Sequence, residues 1–302
     1  MTQTNSSNPK AAVMSIIASM AVLGVIDNSI PLLAQEIGIW QFKILRASIA
    51  VPILVIVAFF GFGQIFPKRW KWVFLRNLAM IAGVMCYFSA LAFLPISHGL
   101  AGLLTAPLWV VVFTALFRGI AIGPIRYFAV GIGFIGTLLV LNISWSSISI
   151  LSFVPIMSGV LYAIAQIITR DYCAEESPVS MLAMMMVLQF IAGSTMLVVL
   201  SMIDPIVPAG SDGFVLRGWV WPIETAWPWI ALQAVGSLIG VGFAIRAYQL
   251  GEASYVAIFE YTIFVFGLAT AFFAFGQVPD LIQFVGIGLI IVAGSMIALR
   301  LS

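Results

Sequence analysis

Charge is scarce in this chain: only 8% of its 302 residues are Asp, Glu, Lys or Arg, against roughly 25% in soluble domains. A water-facing surface needs more than that, so an ordinary soluble globule is excluded. Cysteine is almost missing. Cys86 and Cys173 have no metal-ligand spacing, one sits in an apolar run and the other on the expected inner side, and both read as packing residues rather than a disulfide. A single histidine, His98, excludes a histidine-built metal centre and reads as a solvated turn residue or a pH sensor. No Gly-rich loop carries a phosphate-binding Lys and no nucleophile has a neighbouring base, so enzyme chemistry has little foothold and no cofactor is expected. The net charge of +2 comes without a basic stripe interleaved with aromatics, so no nucleic-acid partner is expected.

What the chain has is apolar length. Hydrophobic residues make up 63% of it, mean hydropathy is +1.16, and the apolar residues fall in runs of about 20, the length of a helix crossing the hydrocarbon core. A barrel would show alternating segments of about ten residues, and none runs along the sequence. The expected fold is therefore an all-α membrane protein of ten transmembrane helices, at about 11 to 32, 39 to 61, 72 to 94, 97 to 117, 125 to 142, 148 to 170, 178 to 203, 227 to 249, 253 to 275 and 281 to 300. Turns such as Leu94-Pro95-Ile96 predict antiparallel neighbours. The one sizeable loop, between helices 7 and 8, holds Trp219 and Trp221, with Trp227 and Trp229 following, as an interfacial belt.

Basic residues orient the chain. With the N-terminus inside, Lys10, Lys68, Arg69, Lys71, Arg76, Arg118, Arg126, Arg170, Arg246 and Arg300 collect on the cytoplasmic ends and only Arg217 outside. Both termini are then cytoplasmic, and the expected location is the plasma membrane, the inner membrane in a bacterium. The first helix is too long and too poorly flanked for a cleaved signal.

An internal match divides the chain. Val130-Gly131-Ile132-Gly133-Phe134-Ile135 recurs as Val285-Gly286-Ile287-Gly288-Leu289-Ile290, which predicts two five-helix repeats, 1–145 and 146–302. Five is odd, so the second repeat crosses in the opposite sense, the inverted topology that suits alternating access.

The paired halves, Asp27, Lys43-Ile44-Leu45-Arg46-Ala47, Ala92-Phe93-Leu94-Pro95, Ala106-Pro107-Leu108, Ala253-Ser254 and Phe259-Glu260-Tyr261 together resemble the EamA-type branch of the drug/metabolite transporter superfamily, over nearly the whole chain. The resemblance implies a central cavity lined by helices 1 to 4 and 6 to 9, helices 5 and 10 at the periphery, and transport of small metabolites such as amino acids. The chain departs from the pattern at Arg118-Gly119, where many members have Gly-Glu, and at Glu260-Tyr261, where many have Glu-Pro.

Polar residues at membrane depth carry the site. A charge at the bilayer centre costs about 2.5–3.5 kcal/mol, so retained ones face a cavity, a partner or an ion path. Arg46 is the first candidate for a substrate carboxylate, because a guanidinium offers bidentate donors, and Lys43 lies one turn earlier on the same face. The alternatives are that Lys43 snorkels to the outer interface and that Arg46 pairs structurally with Asp27. Asp27 is that partner or a proton carrier. Glu260, the one acid deep in the second half, is expected to take up a proton in one transport state and lose it in another, or to meet a substrate amine; a permanently neutral or paired carboxyl is the alternative. Trp109, Tyr162, Gln166 and Tyr261 are candidate cavity walls, with plain packing as the competing role for the aromatics. Pro31, Pro52, Pro107 and Pro155 read as bends within helices.

The expected function is a secondary active transporter, an exporter by the resemblance, of small polar metabolites such as amino acids. A proton-coupled importer of organic anions or zwitterions is the alternative; a membrane-embedded enzyme or lipid-handling protein would need polar clusters at one interface. Expected partners are a small-molecule metabolite, membrane lipid and a proton. Assembly stays open, a homodimer included.

Overall fold

The computed structural model describes residues 8–90, 96–118, 123–142 and 153–298. The Leu94-Pro95 turn, the side chains of His98 and Arg118, and Arg300 lie outside them. Among the described residues there are thirteen α-helices and no strand: α1 Pro9–Asp27, α2 Ile30–Glu36, α3 Ile39–Phe59, α4 Trp70–Ala90, α5 Ile96–Leu103, α6 Ala106–Arg118, α7 Pro124–Val140, α8 Val154–Tyr172, α9 Pro178–Ile203, α10 Trp227–Leu250, α11 Ala253–Val256, α12 Ile263–Phe275 and α13 Leu281–Ala298. Two 3-10 segments, Gly210–Gly213 and Ala257–Thr262, complete the order.

Among the described residues, six stretches are long and apolar enough to cross a membrane: Pro9–Glu36, Ile39–Phe59, Leu100–Phe117, Pro178–Ile203, Trp227–Leu250 and Ala253–Phe275. Pro124–Val140 and Leu281–Met296 are shorter apolar helices, and α4 and α8 stand where the third and sixth spans are expected. Large apolar side chains lie bare on the outside, Phe273 and Leu281 at 84% and 79% exposure, as befits a surface whose solvent is lipid rather than water.

Three expected helices are not continuous. The first breaks at Asn28-Ser29, the fourth at Leu104-Thr105, and the ninth passes through the 3-10 segment Ala257–Thr262. Proline explains two of these breaks. It has no N–H to give and clashes with the preceding turn, so it is tolerated only where a helix begins. Pro31 and Pro107 accordingly occupy the first turns of α2 and α6, and Pro155 that of α8. Only Pro52 lies inside a helix, α3; the other three start helices instead of bending them.

Helices pair across the two halves of the sequence. α1 packs on α10 and α12, α4 on α8, α3 on α9, and α7 on α13, while α8 also packs on α5 and α6. Small residues set the closest approaches. Gly24 of α1 fits against Ile263 and Gly267 of α12, and Gly159 of α8 fits against Gly102 and Thr105 where α5 gives way to α6. α7 and α13 touch backbone to backbone: a Cβ on Gly136 would stand 2.7 Å from the Gly286 carbonyl oxygen, and one on Gly286 would stand 2.6 Å from that of Gly136. The matching hexapeptides do not make equivalent contacts there, since Gly133 meets the Tyr261 ring whereas Gly131 and Gly288 face open space. Gly136→Val is therefore expected to force these helices apart, an overpacking of about 1–3 kcal/mol. Thermal unfolding in detergent should fall by roughly 3–10 °C, with Gly131→Ala unchanged as the control.

The ends are laced by polar contacts. Outside the bundle, the loop between α9 and α10 is bound to α2 and α3: Arg217 donates to the carbonyls of Ala34 (2.8 Å), Ile37 (3.1 Å) and Gly210 (2.5 Å), Trp40 Nε1 donates to Val215, and Gln41 exchanges two hydrogen bonds with Val220. Trp219, Trp221 and Trp227 are exposed and Trp229 is half-buried. Elsewhere Arg126, at the start of α7, forms an ion pair with Glu252, donates to Ser254 Oγ (2.9 Å) and lies 4.6 Å over the Tyr255 ring. Arg76, one of the basic residues expected at the cytoplasmic ends, is turned inward. It is 1% exposed within α4, donating to Thr169 Oγ1 (3.1 Å) and Asn77 Oδ1 (2.7 Å), because α8 supplies a polar facing position at its depth.

Candidate functional site

Most of the candidate residues gather around two polar centres inside the helices. The first is built on the break between α1 and α2. Ending α1 at Asp27 frees backbone carbonyls that no water in a bilayer would satisfy, and side chains take them over. Asn28 Nδ2 donates to Gly24 (2.8 Å) and Gly267 (3.1 Å), and Gln233 Nε2 donates to Ile26 (2.8 Å) and to Ser29 Oγ (3.1 Å). The break is thus a fixed feature, and it leaves the Asp27 carboxylate exposed, with Gln233 of α10 and Tyr87 of α4 at interaction range.

Arg46 of α3 meets this centre. It is close enough to Asp27 to interact electrostatically, but its direct partner is Gln189 of α9, whose Oε1 accepts from Nη2. The guanidinium also lies 5.2 Å from the centre of the Phe42 ring, and its Nε is buried without a hydrogen-bond acceptor among the described residues. Lys43, one turn earlier, is 4% exposed and lies beside Gly193 in the α3–α9 contact. It does not snorkel to the outer interface, because α9 covers it. The structural Arg46–Asp27 pair is replaced by an Arg46–Gln189 hydrogen bond with Asp27 as a neighbouring countercharge.

The second centre is built on the 3-10 segment of the ninth span. Glu260 is 6% exposed. Its Oε1 accepts a hydrogen bond from Tyr248 Oη of α10 (2.9 Å), and Tyr162 of α8 stands at interaction range of the carboxylate, with Gln166 behind it. Gln166 is buried and its Oε1 has no donor among the described residues.

The structure therefore joins Asp27, Lys43 and Arg46 in one place and Tyr162, Gln166 and Glu260 in another, and no side chain is common to the two sets. Tyr261 belongs to neither as a wall: its ring seats on Gly133 of α7 and its hydroxyl points to the Leu104 carbonyl at 3.4 Å. Trp109 turns to the break between α5 and α6, donating to Thr105 Oγ1 at 3.1 Å while Thr105 donates to Gly102 at 2.6 Å. Tyr248 escaped the sequence reading, since an aromatic near the end of an apolar helix carries no mark separating a hydroxyl aimed at an acid from ordinary packing. Gln189 and Gln233 are visible as amides at membrane depth, but their partners are set by tertiary contact.

Residues 10–142 match the model of the EamA-like transporter family. The pseudopaline exporter CntI of Pseudomonas aeruginosa is 29% identical over 226 residues, 72% of each chain. A riboflavin transporter of Vibrio cholerae is 23% identical over 278 residues, 90% of this chain and 88% of that one, and a riboflavin transporter of Brucella anthropi is 24% identical over 258 residues, 84% of each. A solved crystal structure superposes with a TM-score of 0.78 at 14% identity, covering 97% of this chain and 98% of the other, which shows a shared fold. These relatives are transporters and exporters rather than enzymes. The chain is a multi-pass membrane transporter whose residues 10–142 are similar to the EamA-like transporter family.

Proposed function

We propose that the protein is a secondary active transporter of small carboxylate-bearing metabolites, amino acids among them, and that it works by alternating access. Arg46 carries this reading: a retained guanidinium inside the bundle, with one nitrogen on Gln189 and Nε unengaged among the described residues, is a donor pair awaiting a carboxylate. Lys43 adds a second positive charge on the same helix face and Asp27 returns one negative charge, so an anionic or zwitterionic cargo balances the centre. The named cargoes of the relatives, pseudopaline and riboflavin, are also small organic molecules.

The transport mechanism follows from ten helices in two inverted halves, 1–145 and 146–302, with both termini cytoplasmic as the ten-to-one distribution of basic residues favours. The helix pairings support the halves, because exchanging them maps the contacts α1–α10, α1–α12 and α6–α7 onto α4–α8, α6–α8 and α12–α13 and returns α3–α9 and α7–α13 to themselves. In that arrangement Arg46 lies seven residues, about 10 Å, from the start of α3 at one membrane face, and Glu260 lies equally far from the start of α11 at the other. In this reading the cation, nearer one face, binds cargo and the acid, nearer the other, carries a proton or meets an amine. Rocking of the halves opens each in turn.

Counterflow in proteoliposomes tests this. Saturable exchange is expected for at least one amino or organic acid and none for its methyl ester. Equal flux of acid and ester, or conversion without movement, removes the carboxylate reading, and a non-saturating flux marks a channel.

A further inference from the structure

The turn joining α3 to α4 carries chemistry that transport does not use. It reads Phe59-Phe60-Gly61-Phe62-Gly63-Gln64-Ile65-Phe66-Pro67-Lys68-Arg69-Trp70-Lys71. Phe59, Phe60, Phe62 and Phe66 are between 68% and 85% exposed, and Lys68, Arg69 and Lys71 are exposed beside them. Along this turn runs an apolar groove of about 560 Å³ walled by Val55, Ala58, Phe59, Ile65 and Phe66. The backbone beneath is pinned. The buried Glu176 carboxylate accepts the N–H groups of Lys68 (3.0 Å) and Arg69 (2.6 Å), and Ser177 Oγ accepts that of Gln64 (3.1 Å). Both oxygens of Glu176 are thereby engaged with the main chain, and the other acid of that neighbouring loop, Glu175, is exposed.

We infer that this groove and the three cations next to it bind an anionic phospholipid, with an acyl chain in the groove and the phosphate headgroup on Lys68, Arg69 and Lys71. The groove begins on α3, an apolar span that ends at Phe59, so it opens at the boundary between hydrocarbon and headgroups, where aromatic side chains settle. Free phosphate would meet the cations but leave the apolar walls wet, and a neutral lipid would fill the groove but leave the cations without a counterion. An amphipathic anion satisfies both parts of the surface. This inference does not depend on which cargo the transporter carries.

Native mass spectrometry of the purified chain, titrated with phosphatidylglycerol or phosphatidylcholine of the same acyl composition, tests it. Phosphatidylglycerol should be retained at least tenfold more tightly, each cation contributing on the order of fivefold. The triple variant K68Q/R69Q/K71Q should lose that preference while keeping counterflow activity. Phe59→Asp, a change at an exposed wall position, should weaken retention of both lipids about tenfold. Equal retention of the two lipids by the unsubstituted protein, or an undiminished preference in the triple variant, overturns the proposal. So does displacement of phosphatidylglycerol by inorganic phosphate at equal concentration, which would mark a phosphate site instead.

Discussion

Arg46→Ala is expected to abolish substrate-dependent thermal stabilisation and to weaken cargo affinity by between about 30-fold and several thousand-fold, the range for removing one partner of a desolvated charge pair. The size of the effect follows from the surroundings. Among the described residues Gln189 is the one direct hydrogen-bond partner of the guanidinium and Nε is unengaged, so no donor among them takes over a bound carboxylate when the side chain is removed. Lys43 keeps a charge nearby but is covered by α9, and an ammonium cannot supply two parallel donors. Arg46→Lys should therefore fall between the parent and the alanine variant. Gln189→Ala should cost less than either, since it frees a donor rather than removing one. Isothermal titration with a cargo found by counterflow separates these cases. Full binding by Arg46→Ala would take the guanidinium out of the site.

How far the sequence led can be argued helix by helix. α9 and α10 match expectation at nearly every boundary because their ends are written locally. Ser177 caps the start of α9 through its side chain ahead of Pro178, Asp204 ends it in the left-handed conformation, and Pro228 falls in the first turn of α10. The break after Asp27 is different. Its Ile26 carbonyl is held by Gln233, more than 200 residues away, and Asn28, besides bonding Gly24 in its own helix, reaches across to the Gly267 carbonyl of α12, and no local signal encodes such distant partners. Arg76 shows the same limit from the other side: the sequence counts it only as one of the basic residues at the cytoplasmic ends, whereas Thr169 of α8 and Asn77 hold it inside. Charged site residues were legible because a bilayer penalises them wherever they stand. The roles of Tyr248 and Tyr261 were not, because Tyr248 against Glu260 and Tyr261 against Gly133 look alike until the helices are packed.

Glu260→Gln is expected to uncouple the transporter without unfolding it. Glutamine keeps the shape and an oxygen that can still accept from Tyr248 Oη, now 2.9 Å from the carboxylate, but it cannot gain or lose a proton. Uptake driven by an imposed proton gradient should fall by more than tenfold, while counterflow, which needs only cargo on both sides and no net proton movement, should stay within about threefold of the parent. That contrast is what a proton carrier requires and a purely structural acid does not. Glu260→Leu differs again, because it leaves a buried tyrosine hydroxyl without its acceptor, a destabilisation of about 1–3 kcal/mol that lowers counterflow and thermal stability together. If gradient-driven accumulation survives in Glu260→Gln, the proton travels elsewhere, and Asp27, the other acid at an opened helix, becomes the group to test by Asp27→Asn.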